Sequence, residues 1–249
     1  ISCMNLLVCI SHVPDTTAKI NFDAAGKALD ATGVQFVINP YDEFSLTKAL
    51  HLKEAHGGSI TVLNVGGPET EPTLRKALAI GADQAIRINA TPTDAITVAK
   101  ELKNHISANT YDLILCGQES IDYNGQQVPA MLGALLNLPF VNACVDLTID
   151  GSSANATGEI DGGHATYSGS LPLIVGGKKG LVEEKDLRIP NMRGIMTARS
   201  KPLQVLEASE SDTATQAIKF VKPAGKSSVK LVDSVDELVH LLHNEAKAI

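Results

Sequence analysis

The sequence contains no tryptophan, and its aromatic residues make up only 4% of a chain of 249 residues. Proteins that bind single-stranded nucleic acid stack the bases on aromatic side chains, so a surface of that kind is not expected. The formal net charge of −7 also argues against nucleic acid as a partner, because such partners require clustered Lys and Arg. No apolar run approaches the roughly 20 residues that a membrane-spanning helix needs.

Cysteine and histidine provide no pattern that is typical of a metal site. The four cysteines (Cys3, Cys9, Cys116 and Cys144) have no C-x-x-C spacing and stand mostly in apolar, strand-like stretches. We therefore expect reduced thiols rather than a disulfide framework or a zinc site. The seven histidines are scattered along the chain, and no neighbouring Cys or Glu completes a set of ligands around them.

Motifs that signal catalysis are missing as well. The chain has no G-x-S-x-G nucleophile elbow and neither of the common glycine-rich phosphate fingerprints. Without a positioned nucleophile or base, we predict a chain that binds or carries a cofactor and has no catalytic residues of its own. The apolar run at residues 6–10 lacks the basic flank of a signal peptide, which predicts a cytoplasmic protein, or a mitochondrial matrix protein if the chain is eukaryotic and processed.

What the sequence does have is a regular alternation of strand and helix patterns over its first 140 residues. Apolar runs typical of buried strands lie at residues 6–11, 34–38, 59–65, 84–88 and 111–116. Helical patterns lie at residues 40–55 and 70–80, from a capping box at residues 91–94 to residue 105, and after residue 126. This alternation predicts an α/β fold with a doubly wound, mostly parallel, Rossmann-like sheet. Ligands of such sheets bind beyond the carboxyl ends of the strands.

The pattern changes after residue 140. Alternating segments at residues 140–149, 158–160 and 165–168 predict an antiparallel extension, and one more apolar strand is predicted at residues 171–175. Residues 183–201 are basic, turn-rich and weakly periodic, and residues 209–227 are a largely polar linker. A second capping box at residues 234–237 opens a final amphipathic helix. We therefore divide the chain into a nucleotide-binding α/β domain, residues 1–187, and a recognition loop, linker and C-terminal arm, residues 188–249.

The segment from Gly117 to Val128 is the best candidate for a binding site. It joins a buried strand to a helix through a polar loop, an arrangement that gathers free backbone N–H groups at one point, where an anion can bind. Gly125 allows a ligand to approach the backbone, Ser120 supplies a hydroxyl, and the N–H groups of Gln126, Gln127 and Val128 lie at the head of the helix. A plain strand-to-helix connection without a ligand is the alternative.

Matching pieces in order along the chain resemble the β subunit of electron transfer flavoproteins. They include VCISHVPD at residues 8–15, INPYDE at 38–43, ALAIGAD at 77–83 and EIDGG at 159–163, together with the Ile-Pro-Asn that starts at Ile189. The resemblance implies a heterodimer with an α subunit that holds most of the FAD. It also implies electron transport from flavin dehydrogenases, such as the acyl-CoA dehydrogenases of fatty acid oxidation, to a quinone reductase of the respiratory chain.

In the family that this chain resembles, the β subunit buries an AMP that has a structural role. Carried over by resemblance, the AMP contacts are Cys9, Asn39, Pro40, Tyr41, Asp42, Gly66, Gly117, Gln118, Glu119, Ser120, Ile121, Asp122, Tyr123, Asn124, Gly125, Gln126, Gln127 and Val128. These residues follow four of the predicted strands. The resemblance also places Thr16 and Tyr41 near the flavin of the α subunit.

The loop departs from the AMP-binding pattern of the family, which has an Asp-rich stretch followed by Asn-Gln-Thr-Gly. Here the chain reads Tyr123-Asn124-Gly125-Gln126-Gln127-Val128-Pro129. Electron-bifurcating members hold a second FAD in place of AMP, and Gln127-Val128 partly resembles their loop. The resemblance therefore favours AMP and leaves a second FAD as the alternative. A stand-alone nucleotide-binding protein of the stress-protein type is a further alternative, although it would have no use for the long C-terminal arm.

A second functional segment is implied around Ile189. In the family this segment inserts one aliphatic side chain into a pocket on the partner dehydrogenase, and Ile189 matches that side chain. Met192 and Ile195 are the next candidates, and Met192-Arg193-Gly194 resembles a short insertion into the family loop. Flanking arginines would form a cationic rim around an apolar contact. In the alternative interpretation, Ile189 packs into its own domain.

Overall fold

A large mixed sheet forms the centre of the molecule. The computed structural model describes residues 3–209, 212–225 and 229–249. The strands are β1 (Met4–Cys9), β2 (His12–Pro14), β3 (Phe36–Ile38), β4 (Gly58–Val65), β5 (Gln84–Asn89), β6 (Leu113–Gly117), β7 (Phe140–Asp150), β8 (Ser153–Ile160), β9 (Gly163–Ser170), β10 (Leu173–Gly177) and β11 (Leu203–Glu207). Within these described residues, nine strands form one sheet in the order β11-β5-β4-β1-β6-β10-β7-β8-β9, and β2 pairs with β3 separately.

Helices cover both faces of the sheet. They are α1 (Pro40–His56), α2 (Glu71–Ile80), α3 (Ala95–Ser107), α4 (Val128–Leu136), α5 (Met192–Ala198) and α6 (Val235–Asn244), with single 3₁₀ turns at Pro68–Thr70 and Glu184–Asp186. All strand pairs from β11 to β7 are parallel, whereas β7, β8 and β9 pair antiparallel. The predicted α/β class, with its mostly parallel sheet and antiparallel extension, is confirmed.

The core follows from strands that are apolar on both faces. In β1, Leu6 and Val8 pack in one cluster with residues of α1 and α2, while Leu7 and Cys9 pack in the other with residues of α3 and α4. Alternate residues of a strand point to opposite faces, so a continuous apolar run suits a sheet that is covered on both sides. The two clusters therefore form the two layers of a doubly wound domain.

The start of α3 differs from the prediction. The capping box at residues 91–94 predicts a helix that begins at Pro92, but α3 begins at Ala95 and Asp94 is its N-cap, with Oδ1 accepting the Thr97 N–H at 2.9 Å. The other oxygen, Oδ2, accepts the N–H groups of Ala214 at 2.7 Å and Thr215 at 2.8 Å. Hydrogen bonds, first of all those from Thr97, hold the pKa of Asp94 well below its usual range. The bond to Thr97 caps the helix, so α3 starts after Asp94, and the second oxygen attaches the arm to this end of the helix.

The short strand β2 was not predicted, and neither were two further elements, which lie between residues 188 and 209. Residues Met192–Ala198 form a short helix whose N-cap Asn191 accepts the Gly194 N–H at 2.7 Å, although the segment was predicted as a loop. Leu203–Glu207 adds β11 to the sheet as a parallel partner of β5. The division of the chain at residue 187 stays a prediction, and β11 shows that the sheet continues beyond it.

The C-terminal arm crosses the body of the molecule before it reaches α6. Phe220 stacks on Phe22 with ring centroids 5.4 Å apart, and its N–H donates to the Gly26 carbonyl at 2.7 Å. The second capping box is confirmed, because Ser234 Oγ accepts the Glu237 N–H at 3.1 Å. Parts of the predicted linker, residues 210–211 and 226–227, lie outside the described residues. Of the helices in the described part of the chain, none is long and apolar enough to cross a bilayer.

Candidate functional site

The strand order reverses between β1 and β6, and this is where the candidate site lies. From β1 the chain proceeds to β4 and β5 on one side, then returns through α3 to β6 on the other side. At such a switch point the connections leave the two central strands in opposite directions, which opens a crevice beyond their carboxyl ends. The crevice here is bordered by the end of β1, the head of α1 and the loop that follows Gly117.

The carboxylate of Asp42 spans the switch point. Its Oδ2 accepts the Ser11 N–H at 2.7 Å just after β1, and its Oδ1 accepts the Gly117 N–H at 2.7 Å at the end of β6. Burial raises the pKa of Asp42 to about 7, against the opposing effect of the hydrogen bonds from Ser11, Asn39 and Gly117. A Cβ at Gly117 would lie 2.4 Å from Asp42 Oδ1 and 2.7 Å from the Cβ of Tyr41, so this contact requires glycine.

Asn39, the N-cap of α1, fastens the first half of the loop. Its Nδ2 donates to the Glu119 carbonyl at 2.8 Å, and its Oδ1 accepts the Ile121 N–H at 3.2 Å. The side chain is completely buried. Asn39 and Asp42 were predicted as ligand contacts, and the structure shows that their side chains already bind the protein's own backbone. These hydrogen bonds support the crevice, and the role of the two residues as ligand contacts stays a prediction.

The end of β4 is tied to its neighbours in a similar way. Asn64 Nδ2 donates to the Ile10 carbonyl at 2.8 Å, and Arg87 Nη1 donates to the Gly66 carbonyl at 3.0 Å. Asn64 Oδ1 is buried and has no hydrogen-bond partner in the part of the chain that the structure describes. A Cβ at Gly66 would lie 2.5 Å from Thr70 Cγ2, which explains the glycine by packing.

The second half of the loop is open. Gln118 is buried and its N–H donates to the Gly177 carbonyl at 2.8 Å, but the following residues become progressively more exposed. Asp122, Tyr123, Asn124, Gly125, Gln126 and Gln127 are all exposed. Among the described residues, no acceptor bonds to the backbone N–H groups of Gly125, Gln126, Gln127 and Val128.

The backbone of this open half has a shape that binds anions. Gln126 has a left-handed φ of 51°, and the next residue, Gln127, has right-handed φ and ψ of −99° and −44°. Residues of alternating handedness turn successive N–H groups toward one concavity, and the head of α4 adds its positive helix dipole. The predicted anion site is therefore a set of unpaired donors at a helix N-terminus.

Two thiols lie beside the crevice. Cys9 and Cys116 are buried on adjacent strands as free cysteines. A hydrogen bond with Cys9 and burial raise the pKa of Cys116 well above its usual range. Cys116 therefore stays a neutral thiol at neutral pH, whereas a nucleophile would need the thiolate.

His12 borders the crevice and was missed in the sequence. Its ring stacks on Phe36 with centroids 4.4 Å apart, and its Nδ1 lies 2.8 Å from Thr73 Oγ1. Burial lowers the pKa of His12, while the carboxylates of Glu69 and Asp122 partly counteract this. No local pattern marks this histidine, because its neighbours come from β3, α2 and the loop.

The other predicted residues lie on the surface of the molecule. Thr16 is exposed in the turn after β2, and Tyr41 is half-buried at the head of α1. Ile189 is 79% exposed, so it does not pack into its own domain, and Met192 and Ile195 are 77% and 46% exposed. The partner-binding role of these three residues stays a prediction.

Comparisons with known proteins agree with this architecture. The family model described as the electron transfer flavoprotein domain matches residues 27–211. The electron transfer flavoprotein subunit beta of Bacillus subtilis is 37% identical over 262 residues, which cover 99% of this chain and 100% of that protein. The subunit of the same name from Syntrophomonas wolfei is 34% identical, with 92% and 90% covered. The mitochondrial subunit beta of Arabidopsis thaliana is 29% identical, with 99% and 100% covered.

The fold and the candidate site define a doubly wound α/β protein with an open loop and unpaired backbone N–H groups, within the described residues, at its switch point. The comparisons are more specific: the chain belongs to the electron transfer flavoprotein family and matches its β subunits along nearly its whole length. Its relatives are subunits of electron carriers, and their name implies an α-subunit partner and an association with flavin. The stand-alone alternative loses its support.

Replacing Asp42 by Asn is expected to remove one source of pH dependence from the stability. The pKa of about 7 in the folded state lies above the ordinary 3.8, so the folded state binds an extra proton between these values. The stability that the extra proton provides is complete when the pH is below the unfolded-state pKa of 3.8. It is lost as the pH rises through the folded-state pKa of about 7. Relative to Asp42→Asn, the parent should lose up to about 1.4 kcal/mol of unfolding free energy per pH unit in that window. Urea unfolding at several pH values measures this, and parallel curves for the two proteins would contradict it.

Proposed function

We propose that this chain is the β subunit of a heterodimeric electron transfer flavoprotein that holds AMP at the switch point as a structural ligand. The observation that carries the proposal is the row of unpaired N–H groups from Gly125 to Val128 at the head of α4. Such donors suit a phosphate group, which needs several hydrogen bonds and gains from the helix dipole. The adenosine would then lie in the crevice beyond the carboxyl ends of β1 and β6.

The surroundings of these donors fit an anion held by backbone alone. The loop from Gln118 to Gln127 contains no Lys or Arg. Asp42 does not compete for the donors, because both its oxygens accept other N–H groups. The redox chemistry of the complex is supplied by FAD, held mainly by the α subunit, while this chain contributes binding and orientation.

A second FAD in place of AMP is the other candidate. The Gln127-Val128 pair of the loop, which resembles that of bifurcating members, is the observation that favours it. Both ligands share an adenosine phosphate, so the same N–H groups would hold either one. The two candidates can be distinguished by releasing the nucleotides from the purified heterodimer and identifying them by mass spectrometry. One FAD plus one AMP per heterodimer supports the proposal, and two FAD per heterodimer support the alternative.

Replacing Gly125 by Val should expel the nucleotide and leave the fold intact. A Cβ at Gly125 would meet only the Gln127 side chain, at 3.9 Å and beyond, so the protein itself accommodates the change. The branched side chain would stand in front of the free N–H groups, and nucleotide affinity should fall by about tenfold or more. Nucleotide content after dialysis measures this. Gly163→Val is the matched control, since a Cβ there also meets open space; full nucleotide content in Gly125→Val would refute the assignment.

We also propose that α6 binds the α subunit. Leu238, Leu241 and Leu242 of this helix line an open cleft together with Val232, and no residue of α6 is buried. The arm approaches α6 through a segment in which Leu231 and Val229 are also exposed. Apolar residues that recur on one helix face without a covering element are typical of a surface that another chain covers.

The variant Leu238→Ala should weaken the heterodimer. Leu238 is 44% exposed, so a partner can still bury about half of its side chain. Full burial of a leucine side chain contributes roughly 1.5–3 kcal/mol. Leu238→Ala removes the half of that energy that the partner would supply, so the subunit dissociation constant should rise about tenfold. His240→Ala is the control, because His240 lies two residues after Leu238 and on the polar face of α6. It should leave the subunit dissociation constant unchanged. Equal dissociation constants for the two variants would show that this face of α6 is not the contact.

The third part of the proposal is that Ile189 anchors a flavin dehydrogenase, such as an acyl-CoA dehydrogenase, before electrons pass on to a quinone reductase. Ile189, Met192 and Met196 are all exposed within eight residues of the sequence, and Arg188 and Arg193 stand close to Ile189 in the sequence. A small apolar contact with a charged rim is the usual anatomy of a binding hot spot.

Truncating this anchor by Ile189→Ala should slow electron transfer through a higher KM. A central hot-spot side chain contributes about 2 kcal/mol or more, which corresponds to roughly thirtyfold in affinity. Reduction of the FAD heterodimer by an acyl-CoA dehydrogenase and its substrate measures this, and reduction by dithionite should be unchanged. Ile160→Ala is the control, because Ile160 is also exposed but lies at the end of β8. A lower melting temperature with unchanged transfer kinetics would make Ile189 a structural residue.

A further inference from the structure

The exposed segment around Ile189 is held against the helical face of the protein at several points. We call residues 188–198 the docking segment, since the proposed function places partner binding there. At its C-terminal half, α5 approaches α2 so closely that a Cβ at Gly194 would lie 2.2 Å from the Ala79 carbonyl oxygen. The obstacle is backbone, which cannot swing aside as a flexible side chain can. Only glycine fits at this crossing.

Arg75 of α2 and Lys201, which follows α5, donate to carbonyl groups at or just beyond the C-terminal ends of α5 and α2. Arg75 of α2 donates from Nη1 to the carbonyls of Ala198 and Lys201, at 2.8 Å each. In return, Lys201 Nζ donates to the carbonyls of Leu78 at 2.9 Å and Ala82 at 2.6 Å. The last carbonyls of a helix lack partners within the helix, and a cation satisfies both them and the negative end of the dipole.

The N-terminal end of the docking segment is fastened to a different helix. The Arg188 N–H donates to Thr47 Oγ1 at 3.2 Å, and the Arg188 guanidinium pairs with Glu54 at 2.9 Å, both on α1. Ile189 and Met192 therefore project from a segment whose two ends are attached to α1 and α2. Their side chains are 79% and 77% exposed, and that of Met196 is 71% exposed.

We infer that Gly194 and Arg75 are positioning residues for partner docking, and that α5 presents Met192 and Met196 beside Ile189 as one rigid apolar surface. Binding to a segment that is already ordered avoids the entropy that ordering it on contact would cost. Gly194 belongs to the residues that resemble a short insertion into the family loop, and the close contact gives it a physical role, because it lets α5 lie against α2. This inference rests on the proposed docking function.

The test uses the heterodimer with FAD bound and the variant Gly194→Ala. The added methyl group should push α5 away from α2. Amide hydrogen exchange of residues 195–198 in the free heterodimer should then become faster, which reports the loss of order without any partner. The KM for an acyl-CoA dehydrogenase reduced by its substrate should rise about tenfold at unchanged kcat, equivalent to about 1.4 kcal/mol. Gly163→Ala is the matched control and should change neither quantity.

A second pair of variants keeps the inference testable if Gly194→Ala folds poorly. Arg75→Met removes the guanidinium donors and preserves the length of the side chain. Like Gly194→Ala, it should speed amide exchange at residues 195–198 and raise the KM. Arg75→Lys keeps a charged donor that is expected to bond one of the carbonyls of Ala198 and Lys201. Compared with Arg75→Met, it should restore part of the protection against amide exchange and part of the affinity for the dehydrogenase. If Arg75 had a purely structural role, its variants would lower the melting temperature without raising KM at unchanged kcat.

The outcomes separate the inference from the function on which it rests. If Ile189→Ala raises KM while Gly194→Ala and Arg75→Met speed exchange at unchanged KM, docking stands and the positioning role is overturned. If exchange at residues 195–198 is unchanged in both variants, the anchoring of α5 is itself wrong. If neither Ile189→Ala nor the positioning variants change KM, this surface does not bind the dehydrogenase.

Discussion

The buried carboxylate of Asp42 is the contact on which the candidate site depends. At the switch point of a doubly wound sheet, the chain leaves the two central strands in opposite directions. Beyond the ends of these strands there is a gap that the hydrogen bonds of the sheet do not bridge. Asp42 closes it by accepting one N–H from each side, and it stands in the first turn of α1, where the helix dipole favours negative charge. Gly117 is required for the same reason, since any side chain there would displace the carboxylate.

The loop after β6 is divided into a fastened half and an open half. Asn39 and the Gly177 carbonyl bond the backbone of residues 118–121, whereas the N–H groups from Gly125 onward have no acceptor within the described residues. The fastened half fixes where the open half begins, so the free donors are held in place without being used. Such preorganisation lets an anion bind without first ordering the loop.

Much of the sheet domain was predictable because its signals are local. The apolar runs of β1, β4 and β6 need burial on both faces wherever they lie, and the capping box at Ser234 acts over three residues. The connection from β6 to α4 was predictable for the same reason, as strand, turn and helix follow one another directly in the chain. The identity of a ligand was predicted only from the resemblance to a family, and it stays a prediction.

The elements that were missed depend on distant partners. Asp94 is the N-cap of α3, and its second oxygen bonds the N–H groups of Ala214 and Thr215, which are remote in the sequence. The helix α5 is short and carries glycine, and it is stabilised by Arg75 of another helix. Likewise His12 becomes part of the site only when the fold brings Phe36 and Thr73 to it.

The docking segment is part of a strap between two strands of one sheet. β10 ends at Gly177 and β11 begins at Leu203, and in the sheet they stand on opposite sides of β6, β1, β4 and β5, so the chain between them spans the helical face. With both ends fixed, extra residues in the strap can only bulge outward, and doubling the length of such a loop costs only about 0.6 kcal/mol. Insertions there can therefore reshape the exposed surface of the strap while the sheet and the crevice at the switch point keep their form.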